Sequence, residues 1–285
     1  MMDFVNAYGN QITSPYIETD TGKTCTSAQF SIGDANIFTE LSVSDGYLFF
    51  TVTDIPVGGA NGVLSVKDAD GTIMWNWHIW IFPYDLTPVT LTNETGVNYD
   101  ILPAYLATTY DGGDETKRKN WYYQWGRSVP MLGPSAYNST TNATAYGNLS
   151  FAITANSSGA YQQGILNPAT FWTYGNNKNW NWFGTTSYYN LWDANCSSVG
   201  CSDNITVKTV YDPSPVGFKI PNGNTFTYFS TNRVIGNWNN GFKFKKNKTD
   251  TVGVFFPASG FRYVSDGSLY DVGSNGYVWS SAGNS

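Results

Sequence analysis

The stretch from Ile73 to Ile81 constrains the fold of this chain more than any other, because it has the pattern of one long β-strand. One face of that strand carries two tryptophans among isoleucines, namely Ile73, Trp75, Trp77, Ile79 and Ile81. The opposite face is mixed and aromatic, with Met74, Asn76, His78, Trp80 and Phe82. An apolar face backed by a mixed, aromatic one predicts a strand that is packed on both sides at a crowded junction.

His78 is the only histidine among 285 residues. Histidine is the side chain that titrates nearest to neutral pH, so catalysis and metal binding through imidazole are nearly excluded. No nucleophile or carboxylate stands beside His78 in the sequence. We therefore predict a packing role for this side chain.

Residues 1–85 have the pattern of short strands joined by turns. A strand over 47–52 follows the turn Asp45-Gly46, and a second turn, residues 68–71, separates a strand over 63–67 from the tryptophan-rich strand. Glycine in both turns permits the positive φ that tight hairpins need. We predict a small immunoglobulin-like β-sandwich for this part of the chain.

Residues 86–285 differ from residues 1–85 in sequence pattern: predicted strands are sparser, loops are longer, and Gly, Asn and Trp are more frequent. Short helices are predicted over 169–172, after the capping pair Asn167-Pro168, and over 225–229, after Asn224. The whole chain is thus predicted to be a β-rich α+β protein. Its N-terminal sandwich, residues 1–85, precedes a loop-rich domain with a few short helices, residues 86–285.

Composition narrows the choice of partners. Charged residues make up 13% of the chain, against roughly 25% in average soluble domains, whereas aromatic residues make up 17%. The net charge of −6 disfavours nucleic acid and anionic membranes as partners. No run of about 18 apolar residues occurs, which predicts no membrane insertion.

Three cysteines are too few for a disulfide scaffold. Cys196 and Cys201 could close a small loop in an oxidising compartment and leave Cys25 free. Three reduced thiols are the equal alternative.

Two groups of motifs resemble known families. The segments 12–17 and 62–80 resemble the β-sandwich of fimbrillin-like surface proteins of Bacteroides-type bacteria. Four later segments resemble the Fibrobacter succinogenes major paralogous domain: 122–127 (YYQWGR), 210–221 (VYDPSPVGFKIP), 256–262 (FPASGFR) and 276–281 (GYVWSS). That domain is similar to the C-type-lectin-like fold of sulfatase-modifying factors.

The resemblance implies a non-catalytic adhesin on a bacterial cell surface, borne on a pilus or anchored as a lipoprotein. It implies that the lectin-like domain of residues 86–285 binds a glycan or a host surface protein. Such domains usually continue past the Trp-Ser-Ser motif, and the chain starts without an export signal. We therefore expect a fragment, truncated at its C-terminus, of an extracellular protein.

Candidate catalytic and metal sites are weak. A glycosidase needs two carboxylates across the sugar, and the four glutamates, at 18, 40, 94 and 115, lie in apparent loops. Asp111, Asp114 and Glu115 form the best calcium candidate, although a solvated loop is the favoured interpretation. The calcium-binding tripeptides of C-type lectins do not occur in the sequence. We predict no metal and no cofactor.

Two arginines, Arg127 and Arg262, stand in the motifs of the second family. The planar guanidinium suits fixed geometry, so we predict that both pair with buried carboxylates or carbonyls as part of the architecture.

The remaining candidate function is ligand recognition through aromatic side chains. Six aromatic residues lie in Asn- and Gly-rich segments with little apolar company: Trp180, Trp182, Tyr188, Tyr189, Trp192 and Trp238. Aromatic faces stack on sugar rings, and Asn amides both donate to and accept from hydroxyls. We predict ligand binding through these residues. The alternatives are a structural pilus or cell-surface subunit and, on the Cys196–Cys201 spacing, an oxidase of the sulfatase-modifying type.

Overall fold

The computed structural model describes residues 3–109, 119–137, 139, 151–174, 181–183, 188–199, 201 and 206–282. Its strands in chain order are β1 Ser27–Gly33, β2 Phe38–Ser44, β3 Tyr47–Val52, β4 Ala60–Lys67, β5 Ile73–Ile81, β6 Val89–Thr92, β7 Asn98–Ile101, β8 Tyr122–Tyr123, β9 Pro130–Met131, β10 Ala152–Ala155, β11 Thr170–Thr173, β12 Val234–Ile235, β13 Gly241–Lys245, β14 Gly253–Pro257, β15 Phe261–Arg262 and β16 Leu269–Tyr270.

Helices are few and short in the described residues. They are α1 Ile17–Thr21, α2 Gln163–Leu166 and two 3-10 turns, Gly223–Phe226 and Thr231–Arg233. The predicted β-rich fold with few helices is confirmed. The immunoglobulin-like and lectin-like topologies stay predictions.

The tryptophan-rich segment forms β5, the last strand of an antiparallel sheet in the order β1-β4-β5. Strands β2 and β3 form a hairpin whose Phe38 is buried against the sheet residues Ala60 and Leu64. Gly62 permits this approach, because a Cβ there would meet the Phe38 ring at 2.4 Å. One face of the sheet is therefore apolar and covered by the hairpin.

The opposite face of the sheet is polar and buried. Cross-strand pairing places Ser65 opposite Asn76, and Asn61 opposite Trp80. The Asn76 amide donates to Ile165 O at 2.7 Å, and the Trp80 indole donates to Thr108 O at 2.8 Å. Because these partners lie beyond residue 85, β5 joins the N-terminal sheet to the later chain, as its two-sided pattern predicted.

Other contacts also cross residue 85. The Tyr211 hydroxyl donates to Val5 O and accepts from Val5 N, both at 2.6 Å. Ala7 belongs to the same buried cluster as Tyr161 and Trp192. The division into residues 1–85 and 86–285 stays a prediction, and the parts on either side of it share one core.

Both predicted helices differ in the structure. Residues 170–173 form the buried strand β11, which pairs in parallel with β10, instead of a helix over 169–172. Two threonines and two aromatic residues suit a strand, and this tertiary pairing outweighs the Asn-Pro start signal. At the second position the turn begins earlier, because the Asn222 side chain accepts from Thr225 N.

Arg127 and Arg262 are buried and donate to backbone carbonyls, which confirms the prediction for both. Arg127 is 2% exposed, and its guanidinium donates to Thr170 O at 2.5 Å and Pro168 O at 3.0 Å. Arg262 donates to Leu132 O at 2.9 Å and Gly267 O at 2.7 Å. Burial lowers the pKa of each guanidinium to about 10, so both remain charged at neutral pH.

Candidate functional site

The predicted aromatic residues do not form one surface patch. Trp182 and Trp192 are 2% and 0% exposed and belong to the main apolar cluster. Their indole N–H groups donate to Trp125 O at 2.9 Å and Tyr211 O at 3.0 Å. Both side chains are therefore part of the core, and Trp182 also borders the cleft described next.

The other predicted residues are dispersed. Tyr188 packs, partly buried, on the same cluster, and Tyr189 is half-buried. Trp238 is 43% exposed and meets Phe242 edge-on at 4.8 Å. Trp180 lies outside the described residues. Ligand binding by these four stays a prediction.

A cleft of about 1520 Å³ opens above the aromatic core. Aromatic side chains dominate its lining, among them Tyr99, Trp125, Phe218, Phe261, Tyr277 and Trp279. Amides and hydroxyls accompany them, including Asn98, Asn195, Thr206, Ser214, Asn222 and Ser259. The combination of large apolar faces and scattered neutral polar groups is typical of a ligand-binding cleft.

Few charges line this cleft. The exposed Asp100 accepts from the Thr90 hydroxyl, and the exposed Lys219 donates to Thr206 O at 2.6 Å. The buried Arg262 donates to backbone carbonyls. The described lining therefore carries one acidic and two basic side chains, and each of them is hydrogen-bonded within the protein.

Trp279 is one of the half-exposed aromatic side chains at the cleft rim. It is 48% exposed, and its indole N–H donates to Tyr123 O at 2.9 Å. Its ring lies 5.9 Å from that of Trp125 and 5.5 Å from that of Trp192. The core thus supports the indole from below and leaves the rest of its surface open.

Tyr277 is held in a similar way. Its ring is 48% exposed and meets Phe261 edge-on at 5.0 Å, while its hydroxyl donates to the Asp271 carboxylate. This hydrogen bond raises the pKa of Tyr277 and lowers that of Asp271. The polar ends of Trp279 and Tyr277 are both engaged, so hydrogen bonds within the protein hold the orientation of both rings.

Tyr123 connects the cleft rim to the histidine. Its hydroxyl lies 2.9 Å from His78 Nδ1, and Asn61 Oδ1 lies 2.9 Å from Nε2. Asn61 donates its amide to Ala107 O, so its oxygen faces the ring, Nε2 carries the proton and Nδ1 accepts. Loss of solvation lowers the pKa of His78 to about 3, so the ring is neutral at pH 7.

The metal and cysteine predictions have different outcomes. The calcium candidate, residues 111–115, lies outside the described residues. In the part of the chain that is described, no three His, Cys, Asp or Glu side chains come together to hold a metal ion.

Cys196 and Cys201 form a disulfide with a Cα–Cα distance of 5.4 Å, and Cys25 is free. This is one of the two alternatives that the sequence left open.

Trp279 and Tyr277 stood in a family motif, and the sequence interpretation did not consider them for binding. The available signal was local. In the sequence, residues 277–279 are three consecutive large apolar residues between the polar segments Ser-Asn-Gly and Ser-Ser. In the structure, all three are more than 40% exposed. A buried strand would have hidden at least alternate members of such a run.

No protein-family model, curated protein or solved structure matches this chain. Within the described ranges, no helix is long and apolar enough to cross a membrane.

Proposed function

We propose that this protein binds a neutral glycan in the aromatic cleft without turning it over, as an adhesin at a bacterial cell surface. The observation that carries the proposal is the pair Trp279 and Tyr277, half-exposed rings whose polar atoms are already bonded within the protein. A ring fixed in this way loses little entropy when a sugar stacks on it.

The lining supports a neutral ligand. Its amides and hydroxyls match the donors and acceptors of sugar hydroxyls, whereas its few charges are bonded to protein groups. Glycoside hydrolysis would require two carboxylates across the bond, and Asp100 supplies the one carboxylate among the described lining residues. This favours binding over hydrolysis. The motif resemblance to fimbrillin-like proteins and the major paralogous domain supports the adhesin class and an extracellular location.

The test is a binding panel of neutral polysaccharides, acidic polysaccharides and host matrix proteins, with and without EDTA. We expect saturable binding to a neutral polysaccharide that survives EDTA and 0.5 M salt. Trp279→Ala should weaken it roughly tenfold, the worth of one stacked ring. Trp238→Ala is the matched control, because its indole is similarly exposed but lies outside the cleft lining.

Two results would contradict the proposal. One is a folded protein that binds no neutral glycan, and the other is binding that depends on Trp238 and not on Trp279. If the protein binds a matrix protein and no glycan, the ligand is a host protein and the neutral-glycan proposal is wrong.

The hairpin edge favours a second candidate, a structural pilus or surface subunit. Strand β3 pairs only with β2 among the described strands, and Tyr47 and Phe49 on it are 69% and 51% exposed. Such an edge accepts a further strand. Concentration-dependent assembly in solution that Phe49→Lys abolishes would support this function, and a monomer at all concentrations would count against it.

A further inference from the structure

The aromatic surface continues beyond the cleft onto the hairpin formed by β15 and β16. In this antiparallel pair Phe261 stands opposite Tyr270, and Arg262 stands opposite Leu269. Arg262 and Leu269 point inward and are each 8% exposed. Alternation therefore turns Phe261 and Tyr270 outward, and Tyr263 continues on the same side.

These outward rings form a connected row. Tyr263 and Tyr270 have ring centroids 5.3 Å apart, and Tyr270 stacks on Phe261 at 5.9 Å. Phe261 meets Tyr277 at 5.0 Å, and the chain leads from Tyr277 to Trp279 two residues later. We call the five residues Tyr263, Tyr270, Phe261, Tyr277 and Trp279 the aromatic strip.

The strip is both accessible and rigid. Tyr270 is 47% exposed, close to the values of Tyr277 and Trp279. Beneath it, Arg262 ties the hairpin to the protein body through Leu132 O. Tyr263 N donates to Ser268 O, and Gly267 N donates to Tyr263 O, which closes the hairpin turn. Three of the five rings, those of Tyr270, Tyr277 and Trp279, are thus about half exposed and offer successive stacking positions. Phe261 and Tyr263 are less exposed.

We propose that the aromatic strip extends the cleft into a multi-site path, so that the ligand is a linear polysaccharide bound along its chain and not by a terminal sugar. This inference rests on the proposed glycan-binding function. The cleft volume of about 1520 Å³ supports it, because pockets for single small ligands measure roughly 300–1,000 Å³. A chain stacked on Trp279 in the cleft would continue over Tyr277 and reach Tyr270.

The test is a titration with neutral linear oligosaccharides of glucose, xylose and mannose, from disaccharide to hexasaccharide, by calorimetry. The affinity should increase with length. Tyr270→Ala should weaken hexasaccharide binding roughly fivefold to tenfold and leave disaccharide binding unchanged. Trp279→Ala should weaken binding at every length that binds.

Two variants control for the fold. Tyr270→Phe keeps the ring and should bind as the wild type does. Tyr47→Ala removes a tyrosine on β3 that is 69% exposed, more than Tyr270, and that lies far along the chain from the strip, so it should have no effect at any length.

The failures are distinguishable. If a short oligosaccharide binds and added sugars bring no gain, or if Tyr270→Ala binds hexasaccharide normally, the strip has no role and the glycan-binding function survives. If the folded wild type binds no member of the series and no neutral polysaccharide in the panel, both proposals are overturned.

Discussion

Trp192 in the core and Trp279 at the cleft rim have ring centroids 5.5 Å apart, yet they differ in what surrounds them. Both donate the indole N–H to a backbone carbonyl, to Tyr211 O and Tyr123 O respectively. Trp192 is fully buried, whereas Trp279 is 48% exposed. The same hydrogen bond from the indole thus helps to pack Trp192, whose ring is covered on every side. In Trp279 it holds the orientation of a ring that is partly open to solvent.

The largest effect expected from this comparison is on stability. Trp192→Ala should lower the free energy of unfolding by about 3–5 kcal/mol, because it leaves a cavity in the core. Trp279→Ala should cost about 1 kcal/mol, the worth of one hydrogen bond and partial packing. Denaturant titration of both variants measures the difference. Equal losses would mean that the rim residue is core after all.

Some features of the core were predictable from the sequence. The tryptophan-rich strand was predictable, because alternation over nine residues is a local signal that the structure preserves in the pairing of β5 with β4. The burial and pairing of Arg127 and Arg262 were predictable from the chemistry of guanidinium, but whether the partners would be carboxylates or carbonyls was not; they are carbonyls.

Burial of individual aromatics was not predictable in the same way. Trp182 and Trp192 lie in polar segments, and only contacts with Tyr161, Tyr211 and other distant residues bury them. Trp279 is exposed for the converse reason. Strand β11 also depends on pairing with β10, which a local pattern does not contain.

A second prediction tests how much the buried guanidinium of Arg127 contributes to stability. Arg127 lies 5.9 Å from the centroid of the Trp182 ring and donates to several carbonyls. Arg127→Lys should lower the free energy of unfolding by about 3 kcal/mol, because one ammonium cannot replace a planar fork and leaves buried carbonyls without donors. The comparison variant is Arg233→Lys: this side chain is 20% exposed, lies over the Tyr228 ring at 4.4 Å and is 3.8 Å from Glu94. A lysine keeps the positive charge beside that ring and that carboxylate, so the substitution should cost less, about 1 kcal/mol. Similar melting curves for the two variants would contradict this account.

A third effect, which grows with each pH unit below 6.5, concerns the residue that connects both regions. Tyr123 bonds His78 through its hydroxyl and Trp279 through its carbonyl. The pKa of His78 is about 3 in the folded state and 6.5 in the reference state, so the folded state binds fewer protons between these values. Stability should therefore be full above pH 6.5 and fall as the pH drops, by about 1.4 kcal/mol per pH unit from this residue.

Asp34 opposes this trend, because burial raises the pKa of its carboxyl to about 6 and favours the folded state as the pH falls. The difference between wild type and His78→Gln isolates the histidine, since glutamine donates and accepts but does not titrate. We expect the stabilities of the two proteins to converge between pH 6.5 and pH 4. Parallel curves would show that His78 binds protons equally well in the folded and unfolded states, which would contradict the lowered pKa.

The most direct measurement is tryptophan oxidation by N-bromosuccinimide, read residue by residue by mass spectrometry, with and without a neutral polysaccharide that binds. Without glycan, Trp279 and Trp238 should react quickly and Trp182 and Trp192 slowly. With glycan, Trp279 should be protected and Trp238 should react as before. Protection of Trp238 with Trp279 still reactive, or oxidation of Trp192 as fast as that of Trp279, would contradict the division between core and rim.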